Sequence, residues 1–444
     1  MNDPLLDIIS GHKKGRQNGI YSVCSSHRMV LRAAMAQALQ NESMLLIEST
    51  SNQVDQFGGY SGMTPARFVE YIRTIAQEAN FPLDCLILGG DHLGLNRWQN
   101  ESSSSAMKKA KAQVKAYTEA GYTKIHLDTS MRCADDPENW HPEPAGQVMA
   151  ERAAVLCQVV ENTVHKDRIQ LSAPVYVIGT EVPVPGGARH AISDIAVTTV
   201  DQARHTIEST REAFLKKGLE DAWGRVIAMV VQPGLEFDHF SVIDYKRENA
   251  RSLSRFIETV PGLIYEVHST DYQTPASLRA LVEDHFAILK VGPALTFAFR
   301  EAVQALAIIE EIFLGGRKGI TCSALMDVME RLMTGNPEHW RHHYHDLDFT
   351  PAMARQYSYS DRIRYYWPLT KAMETTALLI NNLNMYPPPL SLVSQYLPVQ
   401  YQAVREGQIG NKPLHLIEHK IREILKQYAS ASRPLKHLSQ RSKT

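Results

Sequence analysis

The chain has 444 residues, with 47 Lys and Arg against 48 Asp and Glu, a formal net charge of −1 and 44% hydrophobic residues. That balance excludes a globally basic surface for nucleic acid or anionic lipid, and the length suits a barrel of about 250 residues with an extension. The amino terminus lacks an apolar leader core, no apolar run is long enough for a bilayer, and five scattered cysteines include no Cys-x-x-Cys pair, so a reduced, cytoplasmic, membrane-free protein is expected.

Short apolar strands are predicted near 19–24, 44–49, 85–90, 124–128, 174–180, 226–232, 262–268 and 286–292, separated by helical stretches long enough for right-handed crossovers. Eight such units predict a (β/α)8 TIM barrel over 1–315. The first strand runs into Cys24-Ser25-Ser26-His27 rather than a glycine-rich turn, which speaks against a doubly wound nucleotide fold. Beyond about 318 the β pattern stops, so 316–432 reads as a helical extension packed on the barrel and 433–444 as a disordered tail.

In such a barrel the chemistry sits where strands end. After strand 2, Asn52, Gln53 and Asp55 lie in a loop rich in amides and glycines, suited to a polyhydroxylated ligand and equally to a hydrogen-bonded turn. Strand 3 ends in Gly89-Gly90-Asp91-His92, which places a carboxylate and an imidazole side by side. Strand 4 ends in Asp128-Thr129-Ser130, and strand 5 in Glu181, fixed by the Pro and Gly residues that follow. Strand 6 is followed by His239, a loop histidine or a ligand. Strand 7 ends in His268, Ser269, Thr270 and Asp271. Strand 8 passes from Lys290 and Gly292 straight into a helix, the position where these barrels bind phosphate. In the extension, Arg362 lies among aromatics in 357–368, a candidate phosphate contact over the barrel mouth or part of a subunit interface. A histidine-held divalent metal, neighbouring carboxylates and a phosphate corner together suggest metal-assisted aldol chemistry on a phosphorylated ketose.

Eight segments in order, among them ESTSNQVDQFGGYSGMTP at 48–65, GGDHLG at 89–94, GTEVPVPGG at 179–187, EVHSTDYQT at 266–274, ILKVGPALTFAFREA at 288–302 and YSYSDRIRYYWP at 357–368, resemble the GatZ/KbaZ family. Those proteins are the larger subunits of class II D-tagatose-1,6-bisphosphate aldolase. The resemblance runs to about residue 430 and implies a role in galactitol, N-acetylgalactosamine or tagatose catabolism, within an oligomer that includes a separate catalytic aldolase subunit. Compared with catalytic class II aldolases, Asp91 resembles the proton-transfer acid, with Asp128 and Glu181 as further catalytic carboxylates. His92 and His268 resemble ligands of zinc, with manganese or cobalt as alternatives, and Glu181 or His239 would complete the set. The catalytic subunits carry a histidine where this chain has Gln232, and a Gly-Gly-Ser-Gly phosphate loop where it has Ser269, Thr270 and Asp271. Some proteins resembling the family look like ketohexose-6-phosphate 4-epimerases, interconverting tagatose 6-phosphate and fructose 6-phosphate. An accessory subunit and a metal enzyme in its own right are both compatible with these residues.

Overall fold

A computed structural model describes residues 4–140, 142–166, 173–180, 195–344 and 350–433. Its centre is a closed barrel of eight parallel strands. These are β1 (Ile20–Cys24), β2 (Leu45–Thr50), β3 (Leu86–Gly94), β4 (Lys124–Asp128), β5 (Val175–Ile178), β6 (Val226–Val230), β7 (Ile264–Val267) and β8 (Phe286–Val291). Each pairs with its neighbour in sequence, and β1 closes on β8 with Ile20 opposite Ile288 and Val23 opposite Val291. The expected TIM barrel is the fold. Two elements escape the sequence pattern: a helix Pro4–Lys13 ahead of β1, and an antiparallel ribbon of Glu236–Phe237 with Val242–Ile243 after β6. The ribbon strands are too short to show alternation.

Local signals set the helix starts. Thr64 and Thr274 accept the N–H of Arg67 and Ser277, each with a proline in the first turn, and Thr199 with Gln202 forms a reciprocal capping box. The barrel strands then divide their side chains by the period of two. On β4, Ile125 and Leu127 join the hydrophobic core while Lys124, His126 and Asp128 alternate with them; on β7, Tyr265 and Val267 alternate with Glu266 and His268. The second set fills the barrel interior.

There Lys124, fully buried, bonds Glu48 of β2 and reaches Glu266 of β7 at 2.6 Å, a bridge across the barrel. Gly89 makes room for it, since a Cβ at that position would lie 2.7 Å from Glu48 Cγ. Three buried charges that satisfy one another are tolerable. Two buried carboxylates without their ammonium are not.

The helical extension shares the barrel's hydrophobic core. Its last helix, Pro413–Ser432, buries Leu416, Ile417, Ile421, Leu425 and Tyr428 against the helices Arg28–Asn41, Pro275–Glu283 and Pro293–Leu314. Tyr428 Oη donates to the Thr270 carbonyl at 2.7 Å, and the Ser432 carbonyl accepts the N–H of Gly19 at 2.7 Å. From 434 onward the expected tail lies outside the described residues. Among the described residues no helix is long and apolar enough to cross a membrane.

Lys124→Met is expected to lower the unfolding free energy by about 3–5 kcal/mol, because it strands Glu48 and Glu266 without a counter-charge. Urea denaturation followed by far-UV circular dichroism checks this.

Candidate metal centre and ligand cavity

Adjacent residues on a strand point to opposite faces, so Asp91 and His92 cannot both enter the barrel from a regular β3. The strand is not regular. Between the pairs Gly90 with Ile125 and Leu93 with Leu127, β3 spends one residue more than β4, and His92 takes a left-handed φ of 50°. This bulge turns both side chains inward.

Asp91 is the hub. Its Oδ1 accepts from His126 Nδ1 at 2.8 Å and lies 3.7 Å from His268 Nε2, while Oδ2 pairs with Lys290 Nζ and lies 3.6 Å from His92 Nε2. The His126 bond to Asp91 is shorter than the 3.3 Å approach of the His92 N–H to the same nitrogen, which makes Nδ1 the protonated atom. His92 Nδ1 donates to Asp128 Oδ2 at 2.7 Å, and His268 Nε2 to Glu266 Oε1 at 3.1 Å. Asp128 is in turn held by Ser130, whose Oγ donates to Oδ1 at 2.6 Å.

Each of the three imidazoles thus gives one ring N–H to a carboxylate. The other nitrogens, His92 Nε2, His126 Nε2 and His268 Nδ1, are buried with no hydrogen-bond partner among the described residues. The rings stand 4.8 to 5.3 Å apart, centroid to centroid. A carboxylate that takes one ring N–H is how proteins fix the tautomer of a metal ligand. The residues close enough to share an ion are Asp91, His126, Glu266 and His268, with ligand atoms within 4.8 Å of one another, a group that does not include His92.

The charges agree with this reading. Burial opposes ionisation of Asp91, but His92, Lys290 and His268 around it and the bond from His126 hold its carboxyl well below the usual range. Burial likewise works against Asp128, and the bonds from His92 and Ser130 hold it low. Burial pushes His92 down and His268 well down, whereas Asp91 pulls His126 up against its burial. In the barrel interior the carboxyl groups of Glu48, Asp91, Asp128 and Glu266 face the ammoniums of Lys124 and Lys290, and burial raises Glu48. A cation suits a buried site so rich in carboxyl groups and imidazoles.

His92, His268 and Lys290 border a cavity of about 520 Å³, within the range of small-ligand sites. Of the residues expected to bind substrate, Asn52, Gln53, Ser269, Asp271, Lys290 and Gly292 line it. Others lie elsewhere. Asp55 accepts the N–H groups of Phe57 and Gly59 and pairs with Arg97 at 2.8 Å, so it shapes its loop. Ser130 serves Asp128. Arg362 bonds His343 at 3.0 Å, and it is Arg364 that lines the cavity, beside Tyr365. His239 meets Ser360 Oγ at 3.0 Å and packs edge-on to Tyr344, apart from the cluster, as a tie between the loop after β6 and the extension. Glu181 lies outside the described residues. His126, Glu266, Glu48 and Lys124 were not singled out from sequence; the signal for three of them is that polar residues alternate in Lys124-Ile125-His126-Leu127-Asp128 and Glu266-Val267-His268.

A family model described as D-tagatose-1,6-bisphosphate aldolase subunit GatZ/KbaZ-like matches residues 5–433. The chain belongs to that family. It is similar to a crystal structure from Sinorhizobium meliloti 1021 named as a probable tagatose 6 phosphate kinase, at 41% identity over 93% of this chain and 100% of that one, with a TM-score of 0.84. Fructose-bisphosphate aldolase from Campylobacter jejuni aligns at 13% identity and a TM-score of 0.45 over 86% of this chain and 92% of its own. Fructuronate-tagaturonate epimerase from Cohnella laeviribosi does so at 10% and 0.46 over 94% and 82%.

Purified protein is expected to hold about one divalent ion per chain when supplied with zinc, manganese or cobalt. His126→Ala and His268→Ala should each weaken binding by about tenfold or more, and His239→Ala should leave it unchanged. Metal analysis after dialysis, with titration into chelator-treated protein, measures this.

Proposed function

We propose that this protein is the Z-type subunit of class II D-tagatose-1,6-bisphosphate aldolase, supporting the activity and stability of a separate catalytic subunit in galactitol, N-acetylgalactosamine or tagatose catabolism. The observation that carries the reading is the unbroken family match over residues 5–433. Adding the chain to the catalytic subunit should raise bisphosphate cleavage and slow its thermal inactivation. Full cleavage by the catalytic subunit alone, unchanged by this chain, would count against it.

A second reading has its own support. A buried group of carboxylates and imidazoles beside a ligand-sized cavity would also serve catalysis by the chain itself. The reading it would fit is a metal-dependent ketohexose-6-phosphate 4-epimerase. Zinc is the preferred ion, with manganese or cobalt as alternatives, and it would supply Lewis acidity toward the ketone. The chain's own residues would do the rest. Asp91, ionised between Lys290 and His126, takes the proton of the C4 hydroxyl as the C3–C4 bond breaks. It returns that proton when the bond reforms on the other face of the aldehyde. Asp128 orients His92, and Ser269 and Asn52 on the cavity wall meet sugar hydroxyls.

One variant separates the two. His92→Ala should cut partner-free epimerisation of tagatose 6-phosphate by about a hundredfold or more, while stimulation of the catalytic subunit should survive it. Loss of both would tie the accessory role to the intact centre. Product analysis and a coupled cleavage assay supply the two readouts.

A further inference from the structure

The cavity ends at the corner between β7, β8 and the helix Pro293–Leu314. Barrels commonly seat a phosphate there on backbone N–H groups at a helix start. In this chain those donors are already committed. Asp271 Oδ1 accepts the N–H of Gly292 at 2.9 Å and of Ala294 at 2.8 Å, Pro293 has no N–H to give, and the N–H of Leu295 is turned to the Gly292 carbonyl at 3.0 Å. The anion that this corner is built to hold is the protein's own carboxylate. Asp271 is buried, at 3% exposure, and lines the cavity.

We infer that Asp271 is the residue that sets which phosphorylated sugars the cavity accepts: it closes the corner to a phosphate and receives a neutral hydroxymethyl end of the ketose. A phosphoryl group brought to that corner finds no free N–H up to Leu295 and a negative charge in its place. A hydroxyl finds an acceptor, because only Oδ1 is engaged by the backbone. The phosphate of the ligand therefore belongs at its other end. Arg28, which also pairs with Glu78, borders the cavity as a cation for it; Arg364 borders the cavity too, but donates to the Ser360 carbonyl, to the Asp361 carbonyl at 3.1 Å and to Tyr365 Oη at 3.0 Å, and its charge bears on Asp271. The ligand class is a ketohexose with a single phosphate, remote from its C1 hydroxymethyl group. This deepens the proposed function and rests on its assignment of ketohexose phosphates.

The test is calorimetric titration of the full chain, loaded with zinc and without a partner, with tagatose 6-phosphate and tagatose 1,6-bisphosphate. Wild type should bind the monophosphate roughly tenfold or more tightly than the bisphosphate. Asp271→Ala should bring the two within about threefold, through tighter bisphosphate binding rather than weaker monophosphate binding. Thermal melts verify that this variant folds. If it does not, Asp271→Asn retains an acceptor for the two N–H groups without the charge and should narrow the ratio in the same direction. Equal wild-type affinities, or a ratio that neither substitution changes, would overturn the assignment. A chain that binds neither sugar yet stimulates the catalytic subunit would also overturn it and leave the subunit role standing. A preserved ratio without stimulation would count against the subunit role alone.

Discussion

The constraint on which the rest depends is the placing of like charges where there is no water to screen them. Four carboxylates inside a barrel demand cations, and the protein meets the demand in two tiers. Lys124 bridges Glu48 and Glu266, the first of which burial also pushes toward its neutral form. Asp91 and Asp128 are satisfied differently, by Lys290 and by imidazole N–H groups whose far nitrogens remain as lone pairs. The lower tier stiffens the scaffold. The upper tier keeps ring nitrogens free of protein partners among the described residues, which is what would let it take up a cation.

Much of the fold could be read in the chain because each barrel strand is a compact apolar run between recognisable turns. The site was less legible, for two physical reasons. Interior positions of a barrel alternate with core positions, so His126 and Glu266 were hidden inside segments that average out as hydrophobic. The pairing of Asp91 with His92 drew the eye to this strand end, but the means of turning both inward, a bulge with a left-handed histidine, depends on the register against β4 and leaves no mark in local sequence. Loop chemistry misled in the other direction. Asp55 and His239 are polar residues in strand-end loops, as ligands would be, yet their partners are a turn and a serine of the extension. Only tertiary contacts distinguish these cases.

The extension does more than cover the barrel. Residues 358–367 bring Arg364, Tyr365 and Trp367 to the cavity wall, where Tyr365 meets Tyr60 of the β2 loop at 4.5 Å between ring centroids. Burial would raise the Tyr365 phenol, but Arg364 and Arg362 beside it bring it below its usual range. This part of the cavity wall is thus cationic and aromatic, whereas the barrel interior below is rich in carboxyl groups. A phosphorylated sugar suits that gradient when its charged end lies outward and its carbonyl lies deep.

The contacts of the last helix bear on how the molecule is made. Gly19, ahead of the first strand, gives its N–H to the carbonyl of Ser432, and Tyr428 braces Thr270 between the two strands that complete the ring. The barrel's seam joins β1 to β8, so one edge of β1 stays uncovered until the eighth strand of the ring is in place. Until then β1 is an unpaired apolar edge, the kind of surface that aggregates or recruits chaperones. With contacts this distant in sequence, closure is a slow, late event. The last turn of the helix Pro413–Ser432 lies across that seam as a latch, tying the segment before β1 to the loop that follows β7.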